Sequence, residues 1–341
     1  MCRARAGPRS RRRGGLLSDA QAASAAIPLE AIERARALTA DAVRETPLVR
    51  LEVDASCEIW LKLECLQPIG SFKLRGATSA IRQAEPEEWR SGVWTTSAGN
   101  MAQGVCWVAR ELGVPATVVA PDHAPRAKLD AIARLGGEVI LVPFETWWET
   151  MENGTYTGLH GMFVHPVLDE RVMAGNGVIG LELAERLEAI DTVLVPWGGG
   201  GLTCGIASAL AAVSPSTRVV ACEPATGAPL SASFDEGRAT EVEYTPSFVD
   251  GAGSKALLPA MWDRARSLVA EGVAVPLDDV AAAVRVLATR AHVVAEGAGA
   301  LSLAAALAGR AGEGRVVCIV SGGNIDADRL AAILAGGIPE V

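Results

Sequence analysis

The stretch Val195-Pro196-Trp197-Gly198-Gly199-Gly200-Gly201-Leu202-Thr203-Cys204-Gly205 joins an apolar strand pattern to a helical one through four consecutive glycines. A structural turn needs one or two glycines. Four let several backbone N–H groups close on one anion at a helix N-terminus, as a phosphate site on an α/β sheet requires. The loop lies in the longest uncharged run of the chain, Thr192 to Thr217, which Pro196 and the glycines interrupt. That run therefore reads as strand, loop and helix, and not as a membrane span.

On both sides of this loop, short apolar runs alternate with helical patterns. Before it stand a helix from Pro28 to Ala40, a strand from Glu58 to Leu63 and a helix from Phe72 to Gln83. Strands at Val93 to Thr96, Ala116 to Ala120 and Glu138 to Val142 follow, separated by helices at Gly99 to Leu112 and Pro125 to Leu135. Phe144 to Pro166 reads as less regular, with Trp147, Trp148 and the turn-like Glu152-Asn153-Gly154, and marks a domain crossing before a helix from Val172 to Leu187. After the loop come a strand from Arg218 to Cys222, helices around Pro229 and from Lys255, a helix from Asp279 to Ala291 and a strand from Val316 to Val320. The expected architecture is α/β, two-lobed with doubly wound sheets, and a ligand at the carboxyl ends of the strands.

Composition agrees with that architecture. The chain has 341 residues, half of them hydrophobic, enough for about two domains with a sizeable core. Six arginines among the first 17 residues leave −15 on the remainder of a chain whose formal charge is −9. An acidic body argues against a nucleic-acid surface, and local dipoles must then hold any anionic ligand. The Arg-rich segment lacks the apolar core of a secretory signal and is expected to be a disordered tail over residues 1–26. The seven cysteines form no C-x-x-C pair and sit mostly in apolar segments, as reduced thiols of a cytoplasmic protein would.

Three further segments carry chemistry. In Gly70-Ser71-Phe72-Lys73-Leu74-Arg75-Gly76-Ala77 a lysine stands at the start of a helix. A lone lysine is ordinarily a solvated surface residue, but one desolvated at the positive end of a helix dipole has its neutral amine favoured. In Thr96-Ser97-Ala98-Gly99-Asn100-Met101-Ala102-Gln103-Gly104, free N–H groups between strand and helix suit a carboxylate, and the plainer alternative is that Ser97 and Asn100 only cap the helix. In Cys318-Ile319-Val320-Ser321-Gly322-Gly323-Asn324, Ser321 is a turn residue or a side chain facing the same crevice.

Together these segments resemble the serine and threonine dehydratase (threonine ammonia-lyase) branch of the fold type II pyridoxal-phosphate enzymes, which also contains serine racemase, in a short form without a regulatory domain. The resemblance runs from about Ile27 and includes Glu64 to Ala77, Ser97 to Gly104, His165 to Leu183, Gly198 to Leu202, Glu296-Gly297-Ala298-Gly299 and Ser321 to Asp326. It implies a tryptophan synthase beta-like fold, with a large domain over 27–88 and 169–341, a small domain over 89–168, and a homodimer. It implies pyridoxal 5'-phosphate held by Lys73 as a Schiff base, with Phe72 beside the ring, Asn100 at the ring hydroxyl, Gly198, Gly199, Gly200, Gly201 and Leu202 around the phosphate, and Ser321 at the ring nitrogen. Ser97, Ala98, Gly99, Asn100 and Met101 would receive the substrate carboxylate, and Lys73 would move the α-proton. An uncharged Ser321 favours prompt loss of a β leaving group over long-lived carbanion chemistry. The implied reaction turns a β-hydroxy amino acid into a 2-oxo acid and ammonia, and no metal enters it.

Three departures shape this expectation. Met101 stands where many relatives carry His, which makes the pocket more apolar and, with Trp147 and Trp148, admits a bulkier substrate such as phenylserine, though those tryptophans are first expected to pack at the lobe boundary. Ala98 stands where racemases carry a proton-moving serine. Glu223 matches one ligand of a racemase cation site, but Pro229 occupies the place of the other. Rival readings are β-replacement or racemisation on the same fold, a nicotinamide oxidoreductase using the glycine loop, and a non-catalytic amino-acid sensor. The oxidoreductase is the weaker, because the third glycine of its G-x-G-x-x-G pattern would fall on Cys204.

Overall fold

The computed structural model describes residues 25–124 and 126–340, so residues 1–24 of the expected tail lie outside the described residues. Two sheets organise the chain. One has six strands in the order β1-β2-β10-β7-β8-β9: β1 Leu48–Arg50, β2 Glu58–Lys62, β7 Thr192–Pro196, β8 Arg218–Pro224, β9 Glu271–Val275 and β10 Arg315–Ile319. Only β1 runs antiparallel, paired with β2. The second has four parallel strands in the order β5-β4-β3-β6: β3 Val93–Thr95, β4 Ala116–Pro121, β5 Glu138–Val142 and β6 Met162–Phe163. β7 and most of β8 are buried throughout, as continuous apolar runs in a parallel sheet covered on both faces must be.

The helices explain the chain's wealth of small residues. Helix Glu170–Arg186 packs against both Lys73–Gln83 and Gly201–Val213, and the backbone of Met173 runs so close to Gly205 that no Cβ fits there. Where these helices meet β2, Arg75 is fully buried between two carboxylates. It donates to Glu64 (2.8 and 2.9 Å) and to Glu182 (2.7 and 2.9 Å), and Lys62 pairs with Glu182 at 2.5 Å. Arg75 lies two residues beyond Lys73, so this network fixes the helix that presents the lysine.

Two sequence expectations change. The stretch expected to be irregular after Phe144 is a ten-residue helix, Phe144–Asn153, followed by β6. Its start and stop signals are ordinary: Pro143 at the N-cap, Glu145 in the first turn, and Gly154 closing it at φ +64°. The tryptophan pair hid them, because its apolar face does not follow the stripe of a core-facing helix. The helix expected from Lys255 begins only at Pro259, whose ring suits the first helical position.

Candidate active site

Strand ends bring the singled-out residues to one place. Phe72, Lys73, Ser97 to Met101, Gly198 to Leu202 and Ser321 all line a single cavity of about 480 Å³. Its walls follow the carboxyl ends of β3, β4, β7 and β10, so both sheets contribute. Backbone bonds tie two of the motifs together: Phe72 N–H donates to Ser321 O at 3.0 Å, and Gly323 N–H to Gly70 O at 2.9 Å.

Lys73 is the first residue of its helix and is partly open to the cavity. Its Nζ lies 3.4 Å from Pro166 O and 5.2 Å from the centre of the Phe72 ring. Desolvation pulls its pKa down to about 8, with the charge of Glu296 opposing the shift. At physiological pH a useful fraction of the amine is therefore neutral, as a nucleophilic or proton-accepting lysine needs.

The helix carrying Asn100 is capped by the backbone of Gly99, so the alternative in which Ser97 and Asn100 serve as side-chain caps is not realised. Ser97 Oγ instead accepts from Gly99 N–H at 3.2 Å. Asn100 Nδ2 donates to Glu296 at 2.8 Å, and its Oδ1 accepts from Asn324 Nδ2 at 2.8 Å. With the carbonyl end spoken for, the second N–H of Asn100 is left for the cavity.

Four residues of this site escaped the sequence reading of roles. Glu296 is buried at the cavity wall, and burial pushes its carboxyl up to about 7, with Asp250 adding to the shift and Asn100 opposing it. The signal was present: a single acid stands in the otherwise uncharged run Val293 to Gly309. Asp250 and Lys128 also line the cavity and pair at 2.6 Å, joining the loop before Gly251 to helix Arg126–Arg134. His165 accepts two backbone N–H bonds at Nδ1, from Val167 and Leu168, each 3.0 Å. Burial lowers its pKa, and protonating Nδ1 would release the segment beneath Lys73.

Two other expectations are resolved by contacts. Trp147 lines the cavity wall as well as packing on the small-sheet core, so its expected place at a lobe boundary is only part of its role. The carboxylate of Glu223 is taken up at the start of helix Pro229–Glu236, accepting from Leu230 N–H at 3.0 Å and Ser231 N–H at 2.8 Å. It is a helix-terminal acceptor, and no cation is needed to explain it.

Known proteins match this combination of fold and cavity. Residues 39–322 match the family described as pyridoxal-phosphate dependent enzyme. The chain is 39% identical over 319 residues to an L-threonine ammonia-lyase of Thermotoga maritima, covering 92% of this chain and 79% of that one. It is 36% identical over 324 residues to a catabolic L-threonine dehydratase of Staphylococcus aureus, covering 92% and 93%. Among solved structures, maize serine racemase superposes with a TM-score of 0.80 at 30% identity, covering 91% of this chain and 98% of that one. With the family matched over most of its length and the matched segments converging on one cavity, the chain belongs to the pyridoxal-phosphate-dependent enzymes.

Proposed function

We propose that the protein is an ammonia-lyase that uses pyridoxal 5'-phosphate to convert a β-hydroxy amino acid of the threonine and serine class to a 2-oxo acid and ammonia. One observation carries the reading: a desolvated lysine with its pKa near 8 shares a cavity with a four-glycine loop and a second strand-end loop rich in free N–H groups. The threonine ammonia-lyase relatives supply the reaction class. Release of 2-oxo acid and ammonia from a β-hydroxy amino acid, assayed with L-threonine, L-serine and L-threo-3-phenylserine, by the cofactor-loaded protein tests it, and a loaded protein that forms neither product from any of them would refute it.

The residues fit the cofactor. Cβ atoms added at Gly198, Gly199 and Gly200 would run into Gly251 O, Val167 and Trp197, so no side chain can cover the backbone where a phosphate would sit. The loop opens helix Gly201–Val213, whose N-terminal dipole favours an anion. In this assignment Lys73 is the covalent anchor, Phe72 and Ser321 flank the ring, Asn100 donates to the ring oxygen, and Gly198 to Leu202 hold the phosphate. Bound there, pyridoxal phosphate supplies an electron sink for the substrate's α-carbon.

The protein's own groups do the rest. The loop Ser97 to Met101 holds the substrate carboxylate at the start of helix Asn100–Leu112, through the backbone N–H groups that Ser97 Oγ does not already take. Lys73 Nζ, once its amine is free, accepts the α-proton. Glu296 and Asn324 lock the Asn100 carboxamide so that it cannot flip. Ala98 carries no proton-moving group, so the racemase alternative is disfavoured even though maize serine racemase shares the fold. We further assign residues 27–88 and 169–341 to a large domain and 89–168 to a small one, in keeping with sheet membership, and infer a homodimer. A cytoplasmic location suits the six cysteines among the described residues, all unpaired, and no helix among those residues is long and apolar enough to cross a membrane.

Two results are expected of the cofactor site. Gly200 has φ +93°, so Gly200→Ala strains the backbone as well as striking the fully buried Trp197. Its affinity for pyridoxal phosphate, read by absorbance titration, is expected to fall roughly tenfold or more. The rate at which the cofactor-free protein captures pyridoxal phosphate should rise as Lys73 loses its proton and level off above about pH 8. An ordinary exposed lysine would keep that rate rising to beyond pH 10.

A further inference from the structure

Aromatic side chains are scarce in this chain, with eight Trp, two Tyr and five Phe in 341 residues. Even so, Phe144, Trp147 and Tyr244 line the cavity beside Phe72, and Trp148 lines an annex of about 230 Å³ that shares Val167 and the glycine loop with it. Folding does not account for three of them: Phe144, Trp148 and Tyr244 are 47%, 38% and 45% exposed. Exposed rings gathered around a concave polar site mark ligand contact. Phe144, Trp147 and Trp148 stand at i, i+3 and i+4 of one helix, so they share a face, with ring centres 5.5 to 6.4 Å apart. Lys128, the cation on this wall, is already neutralised by Asp250 at 2.6 Å, which leaves little to attract a second carboxylate on the substrate.

We propose that the substrate is a 3-aryl-3-hydroxy-2-amino acid, 3-phenylserine being the simplest, with its ring seated against Phe144, Trp147 and Tyr244. The proposal rests on the ammonia-lyase reading and narrows it. The Cα–H and Cβ–O bonds break with loss of water, and that water is regained when the 2-imino acid hydrolyses. The net change is phenylserine to phenylpyruvate and ammonia, without oxidant or reductant. A β-methyl group, as in threonine, would leave the aromatic wall largely unused.

The test compares L-threo-3-phenylserine, L-threonine and L-serine as substrates of the loaded enzyme, together with competitive inhibition by L-phenylalanine and L-2-aminobutyrate, which lack the leaving hydroxyl. Phenylserine is expected to have at least a tenfold higher kcat/KM than threonine, and phenylalanine to bind at least tenfold more tightly than 2-aminobutyrate. Phe144→Ala and Tyr244→Ala, both at exposed positions that folding tolerates, should cut kcat/KM for phenylserine at least fivefold more than for threonine. Threonine or serine used as well as phenylserine, or variants that affect all substrates alike, would overturn the aryl assignment and leave the ammonia-lyase reading standing. No 2-oxo acid from any of the three would overturn the reading beneath it.

Discussion

Lys73→Ala is expected to lower the release of 2-oxo acid by at least about 10³-fold while the protein stays folded, because one side chain serves both as covalent anchor and as the base at the α-carbon. The folding half of that statement follows from position. Lys73 opens its helix and its amine faces the cavity, near Pro166 O and the Phe72 ring, whereas Leu74 and Ala77 carry the helix into the core. Alanine is also the better helix former, so circular dichroism and the unfolding midpoint should move little. Lys73→Arg should not restore activity, since a guanidinium cannot give up its proton in this range. Bound cofactor should also wash out of Lys73→Ala on gel filtration. Residual turnover within tenfold of the parent would take the proton transfer away from Lys73 and end the assignment.

The fold was legible wherever burial imposed a period on the sequence. β7, β8 and β10 are covered on both faces and read as apolar runs, and the glycine loop between β7 and its helix announced itself by composition. β1, with three residues, and β9, an edge strand that is mostly half-buried, gave no such run and were not read. Helix Gly297–Leu307 was missed for the opposite reason: it is apolar all round and buried along nearly its whole length, so it has no amphipathic period to detect. Three of the four cavity-lining motifs were legible because they sit at strand ends, and the fourth because its lysine opens a helix. Asp250 and Lys128 were not, because what joins them is a distance of 2.6 Å across the cavity rim; Glu296 stood out as a lone acid, but its bond of 2.8 Å to Asn100 did not, and spacing along the chain encodes neither contact.

Arg75→Met should destabilise the protein by about 3–5 kcal/mol at pH 8, the range for stripping one partner from a buried ionic network. Burial alone would push the Glu64 carboxyl up, but the guanidinium of Arg75 and the ammonium of Lys62 outweigh it and hold its pKa below the usual value. A depressed carboxylate contributes stability above its unfolded pKa, and that stability is lost only as pH falls through the lower folded value. With methionine at 75, Glu64 and Glu182 share the single charge of Lys62, so at least one carboxylate is left buried and undercompensated. Its folded pKa should then be raised, and the sign reverses: stability falls as pH rises past the unfolded value. The gap between parent and Arg75→Met, measured as guanidinium unfolding midpoints, should therefore be widest near pH 8 and narrow toward pH 5. Arg75→Lys should recover little, because an ammonium cannot bridge two carboxylates that the guanidinium contacts through its fork. A loss below about 1 kcal/mol, or a gap that does not change with pH, would mean that packing of the three helices, and not this network, holds the lysine-bearing helix in place.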